Sequence, residues 1–191
     1  MGHSQAAKAK SRERILAEAA DQIRDEGLES VSVGKLMKSV KLTHGGFYGH
    51  FASRSDLLAQ ALERALVEGA KRSAAEESVR SRGFAGFVRS YLNRAHRDSR
   101  SSGCAIAALV SDVGRADEQS RAVMEEHVEE YIAAIERRLG DADDERAIVA
   151  VSAMVGALAL SRVMTNASRS DALLRVVREH LMANNIESNG E

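Results

Sequence analysis

The 191-residue sequence contains no proline, and apolar residues recur along most of it at the three- and four-residue spacing of amphipathic helices. Aromatic residues, which favour strands, make up only 4% of the chain. Alanine, leucine, glutamate and arginine are abundant, and these residues favour helices. The sequence therefore predicts an all-α protein of about nine helices, with three short helices followed by longer ones.

The composition also indicates the cellular compartment of the protein. Hydrophobic residues make up 44% and charged residues 29%, which is typical of a soluble globular protein. The single cysteine, Cys104, excludes an internal disulfide framework and fits a reducing cytoplasm. The N-terminus has no apolar segment of the signal-peptide kind. The longest apolar run, residues 147–160, is shorter than the roughly 20 residues of a membrane span. We expect a cytoplasmic protein without membrane contact, in which this run is a buried helix.

Charge is distributed unevenly between the two ends of the chain. The overall net charge is −1. Residues 1–56 carry nine Lys/Arg and seven Asp/Glu, a net charge of +2, so the remainder carries −3. A positive N-terminal segment favours contact with a nucleic acid at that end.

The stretch KLTHGGFYGHF, residues 41–51, contains three glycines although helical patterns surround it. Glycine in a helix interior costs about 1 kcal/mol relative to alanine. The stretch follows a short amphipathic helix after a tight turn, which is the helix-turn-helix arrangement. A small core is predicted from five apolar residues: Leu36, Val40, Leu42, Phe47 and Phe51.

Capping signals set the expected helix boundaries around this segment. Ser11 is the predicted start of the first helix, and Gly27 is its predicted stop. Ser53 and Asp56 form a variant of the capping box that opens a long fourth helix. The predicted division is therefore a helix-turn-helix domain over residues 1–52 and a helical domain over residues 53–191.

The N-terminal segment resembles the DNA-binding domain of the TetR family of bacterial transcriptional regulators. The residues that carry the resemblance are Gly27, residues 32–36, Gly45-Gly46-Phe47-Tyr48, His50-Phe51 and residues 53–57. It covers about residues 12–58, a quarter of the chain. It implies a DNA-binding helix-turn-helix domain followed by a variable helical domain that binds a small molecule and forms a homodimer.

The resemblance also implies which residues contact double-stranded DNA. The second helix of a helix-turn-helix enters the major groove, where its first residues contact base edges. The expected contacts at bases and phosphates are Ser32, Val33, Gly34, Lys35, Thr43, His44, Gly45, Tyr48, His50 and Arg54. Gly34 departs from the family, which often has a polar or basic side chain there, so any contact at that position uses the backbone.

Roles in the C-terminal domain follow from the same resemblance. Small and apolar residues on the last two helices suit a dimer interface: Ala153, Gly156, Ala157, Leu160, Met164, Leu174, Val177 and Leu181. Burial within one subunit is the alternative for these residues. Aromatic, soft or titratable residues are the candidates for an effector pocket: Phe84, Phe87, Tyr91, Cys104, His127, Tyr131 and Met154. Each of these is also compatible with plain core.

Cys104 has two interpretations. It follows Gly103 at a predicted helix start, where the helix dipole favours a thiolate and therefore a sensor of electrophiles or oxidants. As a small buried hydrophobic residue it would have no such role.

Other function classes find little support in the sequence. No Glu-x-x-His pair, phosphate-binding loop or nucleophile elbow is present, so no enzyme is expected. His44 and His50 are six residues apart and do not share a helix face, so no metal site and no cofactor are expected. The predicted function is a ligand-responsive repressor that binds a palindromic operator. A helical protein–protein interaction module without DNA binding is the alternative.

Overall fold

The computed structural model describes residues 2–80, 83–100, 103–140 and 144–187. Within these residues every regular element is a helix, which confirms the all-α prediction. The nine α-helices are α1 (Gly2–Glu26), α2 (Val33–Ser39), α3 (Arg54–Arg80), α4 (Phe84–Tyr91), α5 (Arg94–Asp98), α6 (Ala105–Val113), α7 (Glu118–Leu139), α8 (Asp144–Val163) and α9 (Ala167–Glu187). Two 3-10 helices lie between the first α-helices, at Leu28–Ser30 and His44–Gly49.

Helix α1 is longer than the sequence predicted. It begins at Gly2 and not at Ser11, because alanine and lysine between these positions favour helix and no residue breaks it. Gly27 ends it as predicted, with φ 88° and a hydrogen bond from its N–H to the carbonyl of Ile23 at 2.9 Å. Only the second and third of the three expected short helices are therefore short.

The turn between α2 and the 3-10 helix His44–Gly49 has a defined hydrogen-bond pattern. The N–H of Leu42 donates to the carbonyl of Met37 at 2.8 Å, and the N–H of Lys41 donates to the carbonyl of Lys38 at 3.0 Å. This pair of bonds is the Schellman motif, which ends a helix with one left-handed residue. Lys41 is that residue, with φ 58°, at a position where glycine is usual.

Apolar residues lock this helix pair together as predicted. Leu36, Phe47 and Phe51 are buried, and the two phenylalanine rings stack with centroids 5.6 Å apart. Val40 is also buried and Leu42 is partly buried against the same cluster. This first buried cluster, the head cluster, continues from α1 and α2 into α3 and α6.

Helix α3 connects the N-terminal helices to the rest of the protein. Its start is capped as predicted, because Ser53 Oγ accepts from the N–H of Asp56 at 3.0 Å. The carboxylate of Asp56 in turn accepts from the N–H of Ala52 at 2.9 Å. The 27 residues of α3 span about 40 Å at 1.5 Å per residue. The buried guanidinium of Arg24 pairs with Glu68 at 2.9 Å and fixes α1 along it.

A second buried cluster, the body cluster, occupies the C-terminal half. It is formed by α4, α7, α8 and α9. Helix α8 is, in the described part of the chain, the one helix long and apolar enough to cross a membrane by length and composition. It packs between α7 and α9, but Val149, Leu160 and Val163 are exposed on it. The expectation that this helix is buried on most sides is therefore wrong, because one apolar face is open.

Candidate DNA-binding and effector-binding sites

The 3-10 helix His44–Gly49 presents a polar face to solvent. Thr43, His44 and Gly45 are exposed, and the side chain of Tyr48 is 70% exposed. Burial of Phe47 on the opposite side orients this face, and the rings of Phe47 and Tyr48 meet edge to face at 5.2 Å. The helix is therefore anchored by its aromatic residue while hydroxyl and imidazole groups face outward.

The glycines of this helix are not required by packing inside the protein. A Cβ atom at Gly45 or Gly49 would meet no atom within 4 Å. At Gly46 it would lie 3.5 Å from Thr43 Oγ1 and 3.8 Å from Met37 Cε, which is ordinary contact. The space in front of Gly45 and Gly49 is consequently free for an external partner.

The start of α2 lies beside this face. A Cβ atom at Gly34 would lie 3.7 Å from the His44 ring, so the two segments adjoin. Ser32, Gly34 and Lys35 are exposed, whereas Val33 is half-buried against the head cluster. The first N–H groups of a helix have no partner within it, so this helix start offers backbone donors to an anion.

Two of the predicted contact residues are turned toward the protein. Nε of Arg54 donates to the carbonyl of Val31 at 3.1 Å, and its guanidinium pairs with Glu29 at 3.1 Å. His50 is half-buried, and its Nδ1 has no hydrogen-bond partner among the residues that the structure describes. The exposed lysines Lys38 and Lys41 supply positive charge beside the face, and neither belongs to the predicted contact set.

A cavity of about 470 Å³ lies between α3, α4, α6 and α7. Five of the seven predicted effector residues line it: Phe87, Tyr91, Cys104, His127 and Tyr131. Phe84 and Met154 are buried in the body cluster and do not line it. Sequence reasoning missed the remaining wall, formed by Leu66, Gly69, Ala70, Ala105, Ile106, Glu130, Ala133, Ala134, Arg137 and Arg138.

Several polar groups of the cavity wall are already paired within the protein. Nε2 of His127 lies 3.1 Å from Glu63, and its Nδ1 lies 3.5 Å from Glu130. Arg138 donates to the carbonyl of Ala134 at 2.6 Å and lies 4.6 Å from the centre of the Phe87 ring. These contacts occupy His127, Glu130 and Arg138, while the exposed Arg137 is a further charged residue of the wall.

Cys104 is the residue that precedes α6, and it is half-buried. Its N–H donates to Nε2 of His96 at 3.0 Å, and Nδ1 of His96 lies 2.8 Å from the carbonyl of Tyr91. The imidazole therefore links α6 to the end of α4. No group of three potential metal ligands occurs among the described residues.

The predicted dimer residues divide into two groups. Leu160 and Met164 are exposed, and Ala153, Gly156 and Val177 are half-buried. Ala157, Leu174 and Leu181 belong to the body cluster of this subunit, which matches the alternative of burial within one subunit. Three exposed apolar residues on α8 and α9 were not predicted for the interface: Ile148, Val149 and Val176.

The N-terminal segment matches a known family. Residues 15–61, which include both helices of the pair and their aromatic anchors, match the bacterial regulatory proteins of the tetR family. This segment of the chain is therefore a DNA-binding domain of the tetR-family type. Proteins of the TetR family are transcription factors and not enzymes. The match over this segment and the fold of the chain support a DNA-binding regulator.

Solved structures share the TetR fold along almost the whole chain. NemR from E. coli in its reduced form superposes with a TM-score of 0.74 at 20% identity, covering 90% of this chain and 95% of NemR. The TetR-family regulator SCO4454 from Streptomyces coelicolor gives 0.70 at 23% identity, with coverage of 92% and 96%. A protein from Saccharomonospora viridis in complex with choline gives 0.72 at 16%, with coverage of 92% and 97%. No curated protein matches the sequence.

Proposed function

We propose that this TetR-family protein is a cytoplasmic repressor that binds a palindromic operator as a homodimer and is released by a small molecule. The exposed polar face of the 3-10 helix His44–Gly49, held on the buried Phe47 and Phe51, is the observation that carries the proposal. An exposed tyrosine and histidine above a rigid aromatic anchor suit contact with a partner better than they suit internal packing.

The docking arrangement follows from the exposure of these residues. Thr43, His44 and Tyr48 would contact base edges and phosphates in the major groove, and the open space at Gly45 would let the helix backbone approach the DNA. The start of α2, at Ser32, Gly34 and Lys35, would bind phosphate through its backbone donors. Arg54 would contact a DNA phosphate only if its guanidinium left the carbonyl of Val31 and the carboxylate of Glu29.

The open apolar face of α8 and α9 supports a homodimer. Leu160, Val163 and Met164 are exposed together near the end of α8, and Val176 is exposed on α9. Pairing two such faces across a two-fold axis would form a four-helix bundle and remove this apolar area from water. The helix-turn-helix segments of the two subunits would then contact half-sites roughly 34–36 Å apart.

Helix α6 offers a physical link between the cavity and the head. Its first turn lines the cavity through Ala105 and Ile106, and Cys104 precedes it. Near its other end, Asp112 Oδ2 accepts from the N–H of Leu28 at 3.1 Å, directly after α1. A ligand that displaces the first turn of α6 would therefore move the turn that orients the head. Coupling of this kind typically amounts to about 1–3 kcal/mol.

Selection of bound sequences from random double-stranded DNA tests this proposal. We expect enrichment of a two-fold symmetric sequence, bound by the dimer with an affinity that falls as salt rises. A screen of small molecules for release of the selected duplex then identifies the effector. A protein that is folded and dimeric but enriches no sequence would be the interaction module without DNA binding.

A sensor function of Cys104 is a second candidate. The observation that favours it is that Cys104 is half-buried and lines the cavity, so a small reagent can reach it. Oxidant or electrophile would then release the operator from the wild type and leave a Cys104→Ser protein bound. If Cys104→Ser releases DNA in the same way as the wild type, Cys104 is only a wall residue.

A further inference from the structure

Two phenol hydroxyls at the cavity wall lack a hydrogen bond of standard geometry. The hydroxyl oxygens of Tyr91 and Tyr131 are buried, and neither forms such a bond in the described part of the chain. The polar groups close to them are each other and the thiol of Cys104. Tyr91 is only 6% exposed. Buried polar groups in folded proteins almost always form good hydrogen bonds, so two phenols with only each other and a weakly bonding thiol nearby have capacity for a stronger acceptor.

The aromatic packing holds the two phenols as a pair. The ring centroids of Phe87, Tyr91 and Tyr131 are each 6.1 Å from the other two, so the rings form a triangle at the cavity. The ring of Tyr91 also meets His96 edge to face at 4.6 Å. These contacts restrict the movement of the rings. Each hydroxyl can therefore reorient only its hydrogen atom toward an acceptor.

The two phenols act as neutral donors. Burial raises the pKa of Tyr91 and the pKa of Tyr131 well above the ordinary value for tyrosine. Both groups therefore remain protonated at neutral pH. The same low-dielectric surroundings that disfavour a phenolate would disfavour a bound carboxylate.

The rest of the wall provides mainly apolar contact. Leu66, Phe87, Ile106 and Ala133 surround the space, while the charge of Arg138 is directed at the Ala134 carbonyl and the Phe87 ring. A volume of about 470 Å³ lies within the range of small-molecule sites.

We propose that the cavity takes a neutral, largely apolar carbonyl compound whose oxygen accepts hydrogen bonds from Tyr91 and Tyr131. A carbonyl oxygen has two lone pairs, so one atom can satisfy both donors. This assignment rests on the effector role proposed for the cavity, and it specifies the chemical class of the effector.

Three fused-ring probes of similar size separate the possible classes: 1-tetralone, its hydrocarbon tetralin and the anion 1-naphthoate. Their binding to the full-length protein is measured by titration calorimetry. We expect 1-tetralone to bind about tenfold more tightly than tetralin, because two neutral hydrogen bonds are added. We expect 1-naphthoate to bind more weakly than 1-tetralone.

The Tyr91→Phe/Tyr131→Phe double variant is the matched control, because it removes two hydroxyls and keeps both rings. It should bind tetralin as the wild type does and lose the preference for 1-tetralone. The proposal is overturned if tetralin and 1-tetralone bind the wild type equally, if 1-naphthoate binds most tightly, if the double variant keeps the preference, or if none of the probes binds.

Operator binding, measured on the same preparations, separates this proposal from the function on which it rests. A protein that binds its selected operator but shows no preference for 1-tetralone contradicts the carbonyl assignment alone. A protein that prefers 1-tetralone through the two tyrosines but binds no operator contradicts the repressor function, and the ligand class stands.

Discussion

The two aromatic groups of the molecule contrast sharply. In the head cluster, Phe47 and Phe51 stack at 5.6 Å and their side chains carry no polar atom. At the cavity, Phe87, Tyr91 and Tyr131 are spaced at 6.1 Å, and two of the three carry a buried hydroxyl without a hydrogen bond of standard geometry. Aromatic residues therefore stabilise the fold in the first group, whereas in the second they leave hydrogen-bonding capacity unused.

The difference indicates that one aromatic group serves stability and the other serves binding. A well-packed head keeps the outward residues of a short, glycine-rich helix in a fixed orientation. Unsatisfied donors in the body cost stability in the empty protein, and a ligand can recover that cost. Cys104 and Tyr131 pack against both the head and the body clusters, so the two regions meet at the cavity wall.

Removal of the head anchor should produce the largest effect. Phe47 is 1% exposed, so Phe47→Ala should lower the free energy of unfolding by about 3–5 kcal/mol. Chemical denaturation followed by circular dichroism measures this change. Tyr48→Ala is the matched control at the exposed neighbouring ring and should change stability by no more than about 0.5 kcal/mol. A loss below about 1 kcal/mol for Phe47→Ala would show that the head does not depend on this anchor.

The second largest effect is expected from breaking the hydrogen bond that connects α6 to the turn after α1. Asp112→Ala removes the acceptor for the N–H of Leu28 and should cost about 1–3 kcal/mol, with weaker response of operator binding to any effector. Arg115→Ala removes only the exposed partner of Asp112, 3.1 Å away, and is the control. Equal thermal stabilities of the two variants would argue against a structural role for the Asp112–Leu28 bond.

Removal of a cavity hydroxyl should act in the opposite direction. Tyr91→Phe deletes a buried hydroxyl that forms no hydrogen bond of standard geometry and keeps the ring, so we expect the protein to gain about 1 kcal/mol. Equilibrium unfolding in urea measures this gain, and Tyr131→Phe should behave in the same way. Destabilisation by more than about 1 kcal/mol would indicate that the hydroxyl already has a partner, and the contrast with the head would disappear.

The smallest predicted effect concerns the turn of the head. Lys41 adopts φ 58°, which is unfavourable for a residue with a side chain, so Lys41→Gly should raise stability by about 0.5 kcal/mol. It should also weaken binding to DNA because one positive charge is lost. Lys38→Gly is the control, since it removes a charge from inside α2 and should destabilise that helix. A decrease in stability for Lys41→Gly would contradict the turn geometry.

Local signals allowed much of the head to be predicted. Gly27 stops α1, and Ser53 with Asp56 starts α3, because each of these signals acts within a few residues. The burial of Phe47 and the exposure of Tyr48 follow from the same short helix pair. The predicted resemblance of this segment to the TetR family rested on these residues, and the match over residues 15–61 confirms it.

Features that depend on distant residues were not predictable. Arg54 looks like a phosphate contact in sequence, but Val31 and Glu29 hold its guanidinium in the fold. Met154 and Phe84 are core residues, and no local pattern distinguishes them from wall residues. Seven of the ten wall residues that the sequence did not predict are alanine, leucine or arginine, brought together by the packing of α3 and α6 against α7.

Operator affinity of the wild type and of Tyr48→Ala, measured side by side on the duplex selected from random DNA, tests the central claim most directly. The account predicts that the wild type binds with a steep dependence on salt. It predicts that Tyr48→Ala, folded and dimeric, loses about 100-fold or more in affinity, because both heads of the dimer lose a contact. Equal affinities for the two proteins would show that the exposed face of this helix does not read DNA.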